Sequence, residues 1–236
     1  MKRLGLILCL LAGCAHSLPV RTVESLRRSG VAAGFFCPNK QIHYDEQIYR
    51  VVYYEERSLD VRYDGIWDID SELGKLLTVQ LKRKGLRAHY LGEFLTSLQL
   101  SMEHVGDVMC NSTPEEFPNK SASLAPLWTA LTEAGVGYLT FSCGSPYSVY
   151  STADTASVHM GAVLLFYDVA SRSRIYARGM HLQPRISYRD SIREMEQNGL
   201  LRLRRATSNS FASSARTVLA EMLGEEPAKP VGFVVK

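Results

Sequence analysis

Apolar residues in this chain fall into short unbroken runs separated by stretches with helical spacing. That alternation predicts an α/β fold. Val31 to Phe36 is a compact apolar run closed by Cys37-Pro38, and its β-branched, aromatic and glycine content predicts a buried strand. Val136 to Phe141, followed by Cys143-Gly144, is a second such run, and Leu86 to Tyr90 is a shorter one. Val158 to Val169 is apolar on both faces, which predicts a strand inside the sheet. Arg174 to Met180, reached through Ala170-Ser171-Arg172-Ser173, predicts its partner nearer the surface. Between residues 44 and 63 the pattern becomes alternating, with Tyr44, Tyr49, Val51, Tyr53, Leu59, Val61 and Tyr63. This predicts two strands in a hairpin turning near Glu55 to Ser58.

The helical stretches are equally distinct. Ile69, Leu73, Leu76, Leu77 and Leu81 share one face of a helix opened by Asp68 or Asp70 and stopped by Gly85. Its last turn carries Lys82, Arg83 and Lys84, which suit the negative end of the helix dipole. Val23 to Arg28 predicts a short helix, and Leu91 to Glu103 an amphipathic one with Phe94, Leu95, Leu98 and Met102 on its face. Residues 104–122 read as a loop, holding Gly106, Cys110, Asn111, Pro114 and Pro118. Leu124, Leu127, Trp128 and Leu131 mark a helix stopped by Gly135. Ser145 to Thr155 reads as a polar connection. A last helical region begins near Tyr188 and carries Phe211, Ala215, Val218, Leu219 and Met222 on one face before Gly224. Arg202, Arg204 and Arg205 read as its solvated side.

Assembled, the order predicts a single α/β domain over residues 31–224, with a mixed β-sheet flanked by helices and an inserted hairpin near 44–63. The first three strands outside that hairpin are expected to run parallel through right-handed crossovers, and the last pair antiparallel. The tail, residues 225–236, is punctuated by proline and ends in Val231-Gly232-Phe233-Val234-Val235. Such a segment can add as a strand to this domain or to a partner.

The N-terminus changes the picture from a fold to an address. Lys2 and Arg3 precede the apolar Leu4 to Leu11, and Leu11-Ala12-Gly13-Cys14 follows directly. The run is too short to span a bilayer, and the whole resembles the signal and lipobox of bacterial lipoproteins. What the resemblance implies is a signal peptide over residues 1–13, removed from the mature chain, and lipidation of the Cys14 thiol. Several acyl chains on one residue make a stable membrane anchor. Residues 14–30 then form the lipidated N-terminus and a short tether. Ala15, rather than an aspartate, follows the cysteine. In that family this implies the outer membrane, periplasmic face.

Removing Lys2 and Arg3 lowers the formal charge from +3 to +1, which argues against a nucleic-acid partner. Of five cysteines, Cys9 leaves with the signal and Cys14 carries lipid, so Cys37, Cys110 and Cys143 remain. An oxidising compartment allows one bridge and one thiol. If Val31–Phe36 and Val136–Phe141 are neighbours, Cys37 and Cys143 emerge at one edge, which makes Cys37–Cys143 the expected disulfide and Cys110–Cys143 its rival. No C-x-x-C spacing supports zinc, and none of the histidines, His16, His43, His89, His104, His159 and His181, pairs at i+3 or i+4. Cys143-Gly144-Ser145 follows a strand as a nucleophile loop does, but without a G-x-S-x-G elbow. No G-x-G-x-x-G or phosphate-binding loop occurs. The expectation is therefore no catalytic residues, no metal and no cofactor.

Leu81-Lys82-Arg83-Lys84-Gly85, Ala134-Gly135-Val136-Gly137-Tyr138-Leu139, the strand Gly161 to Asp168 and Ile175-Tyr176-Ala177 together carry a second resemblance. The pattern is similar to the α/β domain of the TolB amino-terminal part and of the curli-secretion lipoprotein CsgG. That resemblance implies a non-enzymatic envelope protein acting by docking or assembly. The partner would be a secretion, transport or peptidoglycan-synthesis complex, or further copies of the chain. The alternative is an envelope hydrolase or glycan-binding enzyme using the loop 143–155 with the tyrosines of the hairpin. Those tyrosines, or the basic run at Lys82 to Lys84, would then touch peptidoglycan.

Overall fold

The computed structural model describes residues 17–225 apart from 39, 51–52, 64, 146, 152–155, 183–184 and 187–199. The signal peptide, Cys14, the tail from residue 226 and the start of the helical region at Tyr188 lie outside the described residues. The expected fold class is correct: a mixed sheet with helices on both faces.

In chain order the elements are α1 (Val20–Arg28), β1 (Gly30–Phe36), β2 (Gln41–Arg50), β3 (Tyr53–Arg62), α2 (Ile69–Arg83), β4 (Arg87–Tyr90) and α3 (Leu91–Leu98). They continue with α4 (Met102–Asn111), α5 (Phe117–Lys120), a 3-10 turn (Ser121–Leu124), α6 (Ala125–Glu133) and β5 (Val136–Gly144). The last are β6 (Tyr147–Ser151), β7 (Ala156–Asp168), β8 (Ser173–Leu182), β9 (Arg185–Ile186) and α7 (Leu201–Met222). All strands belong to one nine-stranded sheet.

β1 lies between β4 and β5 and is parallel to both, as the crossover rule requires. β7 is antiparallel to β5 and to β8, so the strand that is apolar on both faces is interior. The same chain directions continue upward as an arm. β2 prolongs β1 and is parallel to β6, β6 prolongs β5, and β3 closes the arm as β2's antiparallel neighbour. β2 ends at Arg50 and β3 begins at Tyr53, so the expected turn residues Glu55 and Ser58 sit inside β3, opposite Ile48 and Asp45. Their polarity marks strand residues and not a reversal. Likewise the polar connection after Cys143 is largely strand, since β6 pairs with both β2 and β7.

Period-two alternation sorts the core into two halves. Val31, Ala33, Phe35 and Cys37 face α1, α2 and α7, together with Leu164, Phe166 and Met180. Ala32, Phe36, Leu139, Phe141, Leu165 and Tyr167 face α3 to α6. Residues 104–111, expected to be loop, are helical within α4. Ser101 caps the start by accepting the His104 amide, and Val105, Val108 and Met109 are buried. Gly106 hid this helix from propensity, yet only glycine fits there: a Cβ would lie 2.2 Å from the Phe36 ring. The single helix expected over Leu91 to Glu103 is broken at Gln99, which caps α3 with φ 55°.

The disulfide joins Cys110 to Cys143, with Cα atoms 5.6 Å apart, and the expected Cys37–Cys143 bridge is not formed. β1 and β5 are neighbours as expected, but Cys143 registers with Phe36. Cys37, one residue on, therefore points to the opposite face of the sheet and is fully buried there. Cys143 instead meets α4.

Candidate functional site

β1 and β4 are adjacent parallel strands whose chains leave toward opposite faces. After β1 and its hairpin the chain enters α2, while β4 runs straight into α3. This divergence opens a crevice at the strand ends, where α/β sheets commonly hold ligands. It encloses about 390 Å3 and is lined by Lys40, Asp68, Asp70, Ser71, Tyr90 and Glu103, among others. A second recess of about 340 Å3 shares Lys40 and Glu103 and reaches Cys37 and Arg62.

Asp68 and Asp70, read together as helix-opening residues, have different work. Asp68 caps α2, its carboxylate accepting the Ser71 amide at 3.2 Å. Asp70 is buried, and both its oxygens are occupied: Oδ1 accepts the Cys37 amide at 2.9 Å and Oδ2 meets Lys40 Nζ at 2.9 Å. Burial pushes the Asp70 carboxyl above the usual carboxylate range, and Lys40 and the Cys37 amide pull it back only in part. Burial opposes the Lys40 ammonium as well, but the hydrogen bond to Asp70 and the negative charges of Asp70 and Asp68 together outweigh it, and the lysine is held charged beyond its ordinary range. Burial also raises the Tyr90 phenol, against a hydrogen bond with Ser71. The pair thus fastens the exit of β1 to the start of α2. The Cys37 thiol nearby accepts from Tyr63 Oη at 3.5 Å and lies 3.7 Å from the Ser145 carbonyl.

The outer face of the arm gathers a second polar group. His43 Nδ1 and Asp60 Oδ1 are 2.8 Å apart, and Ser58 Oγ donates to Asp45 Oδ1 at 2.9 Å while lying 3.5 Å from His43 Nε2. The hydrogen bond to Asp60, and then the charge of Asp45, raise the His43 pKa. This is a serine, histidine and aspartate within reach, yet on an open sheet face with the hydroxyl turned to Asp45.

The other sequence-level candidates separate in space. Cys143 is consumed by the disulfide and cannot be a thiol nucleophile, and Ser145 Oγ accepts the Gly161 amide at 2.8 Å. His89 stands edge-on to Phe94, and His159 is exposed on β7 in the row that also holds Ser148 and His43. His16 and the His181 side chain lie outside the described residues, as do the side chains of Tyr44, Tyr49 and Tyr53. Of the basic runs, Lys84 pairs with Glu225, and Arg204 pairs with Glu72, tying α7 to α2. Among the described residues no group of histidine, cysteine and carboxylate side chains is arranged to hold a metal. Among them, too, no helix is long and apolar enough to cross a membrane. Sequence reading missed the Lys40–Asp70 pair because its members stand thirty positions apart with no periodic signal linking them.

The sequence matches no family model and no curated protein. Among solved structures it is similar to the hypothetical protein CT253 from Chlamydia trachomatis, at 12% identity and a TM-score of 0.43. That likeness covers 83% of this chain and 96% of the other.

Proposed function

We propose that this chain is a lipoprotein carried on acylated Cys14 at the periplasmic face of the outer membrane. There it acts as a non-enzymatic docking or assembly component of an envelope complex in secretion, transport or peptidoglycan synthesis. The N-terminal lipobox supports the address. The observation that carries the activity is the edge of the arm: β3 pairs along its whole length with β2, and no other described strand pairs with it. An unpaired edge of this length is a template for adding a partner's strand. The mutually neutralised Lys40–Asp70 pair supports a structural use of the crevice over a catalytic one.

The test is site-specific photo-crosslinking in cells from Glu56, exposed on β3, with Val79 on α2 as the control position. A defined envelope protein, or a second copy, captured from Glu56 and not from Val79 is the expected result. Equal capture from both positions, or none from either, overturns the docking reading. Cys14→Ser tests the anchor separately, and its expected result is loss of acyl labelling and release from the membrane fraction.

A further inference from the structure

On the face covered by α3 to α6, away from the crevice and the arm, a cleft of about 480 Å3 opens beside the turn between β7 and β8. Its floor is apolar and stiff. The rings of Phe117 and Tyr167 are stacked with centroids 4.9 Å apart, and Pro118 and Ala122 complete the floor. Tyr167 turns its hydroxyl inward, donating to the Met109 carbonyl at 3.2 Å, and burial pushes that phenol up to about 12. The buried ring therefore backs the floor as a neutral aromatic beneath Phe117.

The rim is cationic. Arg172 and Arg174 both line the cleft, and among the described residues neither guanidinium is in an ion pair. Their turn is built with care: Asp168 Oδ1 accepts the Ser171 amide at 2.7 Å and the Ser171 hydroxyl at 2.8 Å, which in turn meets Ser173 Oγ at 2.7 Å. Arg172 holds φ 51°, a left-handed conformation unfavourable for a residue with a side chain. Opposite, Ser112 lines the same cleft with its hydroxyl buried and unpaired among the described residues. An unpaired buried hydroxyl is costly unless something reaches it. Ser112 follows α4 directly, two residues beyond the disulfide at Cys110.

We propose that this cleft binds a single-chain anionic amphiphile. The carboxylate head sits between Arg172, Arg174 and the Ser112 hydroxyl, and the apolar chain lies along Pro118, Ala122 and the edge of Phe117, with Tyr167 stacked behind it. Both halves of the ligand are required by the site: two free guanidiniums call for an anion, and an apolar floor calls for an apolar body.

The test is calorimetric titration of the oxidised full chain with decanoate, decanol and decyltrimethylammonium. Decanoate is expected to bind, with decanol about tenfold weaker, as the loss of one charge-assisted contact implies. The ammonium probe is expected to bind weaker still. The double substitution Arg172→Ala with Arg174→Ala should remove the preference for decanoate over decanol and leave the melting temperature unchanged, both side chains being exposed. Ser112→Ala should weaken decanoate without lowering the melting temperature. Equal binding of decanoate and decanol, decanoate affinity unchanged in the double variant, or no decanoate binding at all would each overturn the proposal.

Discussion

The two helical layers solve the same packing problem by different means. On one face, beside the 9-residue α1, α2 and α7 run 15 and 22 residues and bury long apolar stripes. On the other, α3, α4, α5 and α6 run 8, 10, 4 and 9 residues. Helices of that length are marginal on their own, because each nucleation cost is spread over few hydrogen bonds. The short layer carries the disulfide, and the long layer is knitted by side chains, with Arg204 and Ser208 both bound to Glu72. The short layer also opens the cleft of about 480 Å3 beside the turn between β7 and β8. Fragmenting a layer creates gaps between its pieces, and a covalent staple keeps those gaps in shape.

The largest expected effect falls on the staple. Cys110→Ser with Cys143→Ser should cost about 3–4 kcal/mol from the closed loop of 33 residues. In urea unfolding with hydrogen exchange, protection should fall first in α4 to α6 and last in α2 and α7. Equal loss in both layers would erase the distinction between them.

Next comes the pair at the crevice. Lys40→Met leaves the buried Asp70 carboxylate without its cation. Because Lys40 is about a third exposed, the cost should be about 2 kcal/mol, below that of a fully buried pair. Asp70→Asn keeps an oxygen for the Cys37 amide and lets the lysine reach water, so it should cost under about 1 kcal/mol. The signs follow from burial. A carboxyl whose folded pKa lies above its unfolded one favours the fold when protonated, so Lys40→Met should regain stability as the pH falls through the folded value. A thermal melt series from pH 7 to 4 reads this. Further destabilisation of that variant on acidification would contradict it.

The smallest effect concerns the arm. His43 has its pKa raised by Asp60, so its contribution is complete below the ordinary histidine value and disappears as the pH rises through the folded one. Amide exchange in β2 and β3, corrected for intrinsic rates, should speed up across that range. In His43→Gln it should not.

The layered architecture was legible because its signals are local. The runs at Val31 and Val136, the stripe from Ile69 to Leu81, and Gly85 and Gly135 at φ 75° and 68° each announce an element within one window of residues. What escaped was settled by partners distant in sequence. α4 depends on Phe36 passing over Gly106, and the role of Asp70 depends on Lys40 arriving after Pro38. The cleft near Arg172 needs a turn, a helix end and a strand to converge. The disulfide departs from the expected pairing for one reason: β1 and β5 are neighbours, but pairing also needs parity, and Cys37 lies one residue out of step with Cys143.

That one-residue offset has a consequence for how the chain is made. Cys37, Cys110 and Cys143 permit three alternative bridges in a chain without a sheet. Once β1 and β5 have paired, the sheet itself stands between Cys37 and the other two sulfurs. An oxidant acting before that moment can trap any pairing, whereas one acting after it finds a single accessible partner. The backbone register thus serves as a proofreading step, and correct oxidation depends on folding winning the race.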